Sequence, residues 1–144
     1  MTENRHIFLG IVLLLGSMAS APALHAQQVI VNPDVKQQSL TLNGVRAIFF
    51  MRLAQWPENG QPIKVFVLPD KAPLHIQFSK NKLNVFPRQL RRSWDRLVFS
   101  GTGQSPIVVE NEQEMRDRVA NTSGAIGYVQ EIKEDDIVSP LAIQ

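Results

Sequence analysis

Apolar residues recur at three- and four-residue spacing in four stretches of the chain, and crowd into short runs between them. The run 27–33, "QQVIVNP", reads as a short strand ended by Pro33. After a polar stretch, 41–56 reads as a helix with Thr41 at its N-cap. Leu42, Val45, Ile48 and Phe49 fall on one face of it, and Gly44 weakens it by about 1 kcal/mol relative to Ala. The cluster "WPENGQP", 56–62, is a turn. Residues 63–69, "IKVFVLP", are apolar at all but one of the positions before the proline, which marks a buried interior strand rather than an edge.

A second helix is expected over 72–84, with Pro73 in its first turn, where a missing N–H does little harm, and Leu74, Phe78 and Leu83 inward. The third, 86–103, carries the stripe Leu90, Trp94, Leu97 and Val98 against Arg88, Arg91, Arg92, Asp95 and Arg96. Ser100-Gly101-Thr102-Gly103 stops it. Residues 106–110 form a strand or extended loop. The fourth helix, 111–124, has acids in its first turn, Met115 and Val119 facing in, and Gly124 at C′. A strand comes next at 125–129, where Gly127 implies a close approach by another element. Residues 136–143 supply a last strand. Strands alternating with helices specify an α/β fold, a single three-layer domain with a largely parallel sheet.

The first 26 of the 144 residues change the picture of what is mature protein. Arg5 precedes an apolar run, 7–15, and small residues lead to Ala26, the pattern of a cleaved secretory signal; Ala23 is the alternative cleavage point and an uncleaved anchor the alternative reading. The run falls short of the roughly 20 apolar residues of a comfortable membrane span. The expected domain is therefore 27–144, in the periplasm. It has no cysteine, so apolar burial alone holds it. His75 is its only histidine, which excludes a multi-histidine metal site within one chain.

Charge is unevenly placed. Residues 64–96 hold eight basic and two acidic side chains, net +6, whereas 97–144 hold three basic and eight acidic ones, net −5. Such segregation gives a dipolar surface, or a basic face for an anionic partner. Nucleic acid is not expected as a partner of an exported chain.

Several stretches together resemble the periplasmic phosphate-binding proteins of ABC transporters, which have the type 2 periplasmic binding fold. "LTLNGVRAIFFMRLAQWPENGQPIKVFVL", 40–68, is similar to that family's Leu-x7-Ile-Phe-x3-Ile-x2-Trp segment and the strand after it. "NEQEMRDRVANTSGAIGYV", 111–129, resembles its helix followed by Pro-Gly-Ala-Ile-Gly-Tyr-Val, with Ser123 in place of the proline. The resemblance implies one lobe of a two-lobed receptor, since 118 residues hold no second lobe. It also implies a phosphate site at the strand-to-helix turn, where the family has an Arg and then Asp-Gly-Ser-Gly-Thr. Here Leu68 stands for the Arg, Asp70 keeps the acid, and Lys71, Ala72, Pro73 and Leu74 replace the Gly, Ser, Gly and Thr. Losing three bonds to an anion, at roughly 1.5–3 kcal/mol each, weakens binding by orders of magnitude.

The candidate ligand residues are Asp70, Lys71, His75, Ser100, Gly101, Thr102 and Gly103. Asp70 is a proton acceptor for hydrogen-phosphate or an amine, or simply a turn acid beside a helix N-terminus. His75 is a ligand donor or pH sensor, or a surface histidine on a helix. The Ser100–Gly103 loop has hydroxyls and free N–H groups near Arg91, Arg92 and Arg96; it is equally a helix stop, facing the negative end of the dipole. The arginines read as a solvated face, and Trp56 and Trp94 as core. Within 27–144 there is no Cys, no second His and no Ser–His–acid set that the sequence can place together for catalysis, and no enzyme, cofactor or metal is expected. The expected partners are phosphate or another small anion, a membrane sensor or permease, and a second copy through the surface a missing lobe leaves open.

Overall fold

The computed structural model describes residues 26–144. The chain enters the main sheet with β1, Gln28–Val31, and continues through β2, Ser39–Leu40, and helix α1, Leu42–Phe49. Next come β3, Lys64–Val67; α2, Pro73–Gln77, continued by a π-helical turn, Phe78–Lys82; and α3, Pro87–Ser100. The chain ends with β4, Ile107–Val108; α4, Glu112–Asn121; β5, Ala125–Val129; β6, Ser139–Pro140; and β7, Ala142–Ile143. The main sheet has the order β4-β3-β5-β1-β6, and β2 and β7 form a small parallel pair beside it. β3 runs parallel to both β4 and β5, while β1 runs antiparallel to β5 and to β6. Four of the five strands therefore share one direction, and β1 alone is reversed.

Strand alternation sorts the helices into two outer layers. On β5, Gly127 faces α4, where a Cβ in its place would stand 2.5 Å from Met115 Sδ and 3.0 Å from Val119 Cγ2. This is the close approach the glycine implied. Tyr128, the next residue, faces the opposite layer, where its ring stacks on Phe78 and lies near Phe49 and His75. The core of buried side chains runs from Val29 to Leu141 and includes both tryptophans. Among the described residues, no helix is long and apolar enough to cross a membrane. The expected signal segment, 1–26, lies outside the described residues except for Ala26.

Local chemistry explains most helix ends. Thr41 Oγ1 accepts the Gly44 N–H, capping α1 as expected. Asn111 Oδ1 accepts the Glu114 N–H at the start of α4. Gly101, at φ +68°, ends α3 in the left-handed conformation that glycine adopts without penalty. Several expectations need correction. The last strand, expected over 136–143, is two short ones, β6 in the main sheet and β7 paired with β2. The first helix stops at Phe49 rather than reaching 56, because the chain reverses at Met51, φ +61°, and carries Trp56 back so that its Nε1–H meets the Gly124 carbonyl at 3.0 Å. The second is α-helical only to Gln77, after which the wider π turn leaves Leu74 half-buried while Phe78 and Leu83 are buried. The fourth ends at Asn121 with Thr122 as cap, so Gly124 lies beyond the C′ position; its φ of +71° serves the turn into β5. On α3, Leu90 and Trp94 are buried as expected, but Val98 is exposed, because the neighbouring elements reach only the Leu90–Trp94–Leu97 side.

Candidate functional site

The strand-to-helix turn after β3 is built from Pro69-Asp70-Lys71-Ala72-Pro73-Leu74. Turns of this kind hold anions through the unspent N–H groups of the first helical turn. Here that supply is thin. Pro69 and Pro73 have no N–H, and the Ala72 N–H is taken by the Pro69 carbonyl at 2.9 Å. Ala72 is the N-cap of α2 and has no side chain with which to cap it. Just before the turn, the Leu68 N–H donates to the Tyr128 hydroxyl at 2.9 Å. Lys71 is exposed at the surface.

Asp70 has a partner that sequence spacing did not single out. From α3, Arg91 reaches it with two parallel bonds, Nε to Oδ2 at 2.8 Å and Nη2 to Oδ1 at 2.9 Å. This fork-on-fork geometry is the strongest form of the Arg–carboxylate pair. The bonds from Arg91 hold the Asp70 carboxyl below its ordinary range against the opposing effect of partial burial, and the Arg91 pKa rises in return. Arg91 also has Asp95 at 3.7 Å and lies over the Trp94 ring, 5.1 Å from its centroid. The two acids of residues 64–96 thus share one arginine.

His75 is buried, not a surface residue on a helix. It sits on the face of α2 turned toward β5 and α3, with Tyr128 and Trp94 beside its ring. Its Nδ1 is hydrogen-bonded to the Tyr128 hydroxyl, and its Nε2 has no partner among the described residues. If Tyr128 donates to Nδ1 while accepting from Leu68, one group is stranded, the Nε2–H. The opposite tautomer strands both the phenolic proton and the Nε2 lone pair, so the first arrangement costs less. Burial pushes the imidazole below its ordinary pKa, with Asp70 opposing and Arg91 reinforcing the shift, and burial likewise pushes the Tyr128 phenol up.

The second candidate, Ser100-Gly101-Thr102-Gly103, spends its donors inside the helix end. The N–H of Gly101 donates to the Val98 carbonyl, and those of Thr102 and Gly103 donate to the Leu97 carbonyl at 3.1 and 3.3 Å. The Ser100 and Thr102 hydroxyls lie 2.7 Å apart and bond each other. This is the geometry of a helix stop, with the N–H groups directed at carbonyls. The structure therefore brings Asp70, His75, Arg91 and Tyr128 into one neighbourhood; it ties Ser100, Thr102 and Gly103 to their own helix. Tyr128 and Arg91 are the residues that sequence reasoning did not assign. Tyr128 was visible only as part of "GAIGYV", and Arg91 only as one of four arginines on the polar side of its helix. Among the described residues, no cluster of His, Cys, Asp and Glu has the makings of a metal site.

The sequence matches no protein-family model and no curated protein. Several solved structures share its fold, among them these three. A putative phosphate ABC transporter substrate-binding protein from Clostridium perfringens, with bound phosphate, has a TM-score of 0.64 at 20% identity, over 82% of this chain and 44% of its own. PstS from Borrelia burgdorferi has a TM-score of 0.58 at 14% identity, over 82% and 47%. An ABC-type phosphate transport receptor from Vibrio cholerae has a TM-score of 0.54 at 16% identity, over 81% and 45%. The chain thus has the fold of one part of these proteins and spans less than half of their length.

Proposed function

We propose that this chain is an exported, single-lobe relative of phosphate-binding proteins that acts in periplasmic ligand binding or sensing, with its phosphate turn converted into an internal ion pair. The fold and the coverage of under half of each neighbour support a single binding-protein lobe. The leader-like residues 1–26 support export. The neighbours' names support a transport-related, non-enzymatic role, with a membrane sensor or permease as the kind of partner such a lobe serves.

One observation carries the reading: the Asp70 carboxylate occupies both prongs of the Arg91 fork. An anion entering the turn must displace an internal carboxylate, and three of the six turn residues have no free N–H to repay it. Isothermal titration of phosphate into the protein tests this. The expected result is no binding in the micromolar range. Micromolar affinity overturns the reading in favour of a true phosphate receptor with a rebuilt site. A variant with Leu68→Arg, Lys71→Gly, Ala72→Ser, Pro73→Gly and Leu74→Thr restores the family's turn chemistry. It is expected to bind phosphate near millimolar, about 4 kcal/mol, as seen by amide shifts that the natural sequence lacks.

A further inference from the structure

The uneven charge of the sequence becomes an oriented surface in the fold. α3 is 14 residues long, about 21 Å at 1.5 Å per residue. At 3.6 residues per turn, Arg88, Arg92, Arg96 and Phe99 fall within an arc of about 80°, opposite the Leu90–Trp94–Leu97 side that packs inward. All four are exposed, Phe99 at 89%. Phe86, at the other end of the helix, is 61% exposed, with the Lys80 ammonium 6.0 Å from its ring.

This layer keeps its positive charge. Its two acids, Asp70 and Asp95, both lie against Arg91. Among the described residues, Lys71, Lys80, Arg88, Arg92 and Arg96 form no ion pair, and all are exposed. The opposite layer behaves otherwise. On α4, Glu112 lies near Arg116 and Glu114 near Arg118, each at 3.7 Å, so its acids are partly neutralised in place. The exposed residues of that helix are polar, with no exposed aromatic side chain among them.

We propose that the outer stripe of α3 docks the protein onto an anionic lipid surface. The stripe joins the two features that peripheral membrane binding needs: a row of cations attracted to acidic headgroups, and an aromatic side chain free to enter the boundary between headgroups and acyl chains. The exposure of Phe99 favours lipid over an acidic protein: at 89% exposed beside Arg92 and Arg96, its ring is free to enter a fluid surface that needs no preformed seat for it. The acidic residues, concentrated in the α4 half of the chain, then point away from the membrane, and the field of the bilayer orients the molecule.

Co-sedimentation of the protein from Gln27 onward, without the leader-like segment whose apolar run would itself enter a bilayer, tests the proposal, using phosphatidylglycerol mixed with phosphatidylcholine against phosphatidylcholine alone. Each cation at the surface is worth about fivefold in partitioning. The natural protein should therefore prefer the anionic vesicles by at least about tenfold at low salt, and the preference should collapse near 0.5 M salt, roughly where screening shortens to a few ångströms. Arg92→Glu with Arg96→Glu should abolish the preference, and Phe99→Ser should weaken binding to both kinds of vesicle. Every site is solvent-facing, and circular dichroism checks that each variant remains folded. Equal binding to both vesicles, or a preference that survives the double charge reversal, overturns the proposal. Lipid-free self-association that the same substitutions abolish also overturns it, assigning the stripe to a second copy.

Discussion

The hydroxyl of Tyr128 stands between two buried groups, accepting from the Leu68 N–H at the end of β3 and meeting Nδ1 of His75 in the helix layer above. It links the end of β3, the last pleat of β5 and the inner face of α2. Tyr128→Phe keeps the stacking on Phe78, whose ring centroid is 3.9 Å away, and removes only the oxygen. Both partners are then buried without a bond, at about 1–3 kcal/mol each. We expect a loss of about 2–6 kcal/mol in urea melts, with fast amide exchange appearing at Leu68.

His75 makes stability depend on pH in a defined direction. Its pKa is lowered by burial in the folded state, so the unfolded chain takes up a proton near the ordinary value of about 6.5 while the native imidazole stays neutral. The unfolded state binds more protons through that window, and stability therefore rises with pH and is lost as pH falls below about 6.5. Asp70, whose pKa is lowered chiefly by its bonds to Arg91, loses its stabilisation only as pH falls below the ordinary carboxylate value. Urea melts at about pH 7 and about pH 5 thus isolate the histidine. The natural protein should weaken between them, and His75→Gln should weaken less.

Trp94 is fully buried and its Nε1–H donates to the Phe49 carbonyl at 2.8 Å, joining α3 to the end of α1. Trp94→Ala removes the largest buried side chain of α3 and strands that carbonyl. The expected loss is about 3–5 kcal/mol by chemical denaturation. A shift under about 0.5 kcal/mol would mean that α3 does not pack as described.

Gly127→Ala should cost about 1–3 kcal/mol, since the new methyl must push Met115 Sδ and Val119 Cγ2 away from β5. Met115→Ala makes room, so the double variant should be more stable than the sum of the two single losses predicts. Thermal melts of the four proteins in this cycle measure the coupling.

How much of the fold was legible in the sequence depends on the range of the interactions. Thr41 as a cap, Gly101 as a stop and Gly127 as a point of close approach depend on near neighbours or on a missing side chain, and each is found. The strand at 63–69 was legible as interior because its apolar run allows no wet face. The burial of His75 was not, because a lone histidine on a short helix carries no periodic signal of its own, and the π turn after Gln77 shifts the helical phase of the residues beyond it. The Arg91–Asp70 fork spans 21 residues and requires the rotation of α3 relative to the turn, which only packing fixes. Four arginines on that helix were chemically equivalent until one of them met an acid. The early end of the first helix has the same origin, since it is Trp56 reaching Gly124 that turns the chain back.

The single reversed strand ties the beginning of the domain to its end. β1 pairs with β5 in the register Gln28 to Val129 and also holds β6 through Val31 and Ser139. The middle of the sheet is therefore closed by contacts about 100 residues apart in the chain, and such closures are slow because the loop entropy is spent before the contacts form. A ribosome that has released only the first half of this protein has made β1, α1 and β3 without β5, the strand that lies between β1 and β3 in the sheet. The sheet therefore stays open until its last strands arrive, and a chain cut short before β5 has lost the strand on which both halves of the sheet meet.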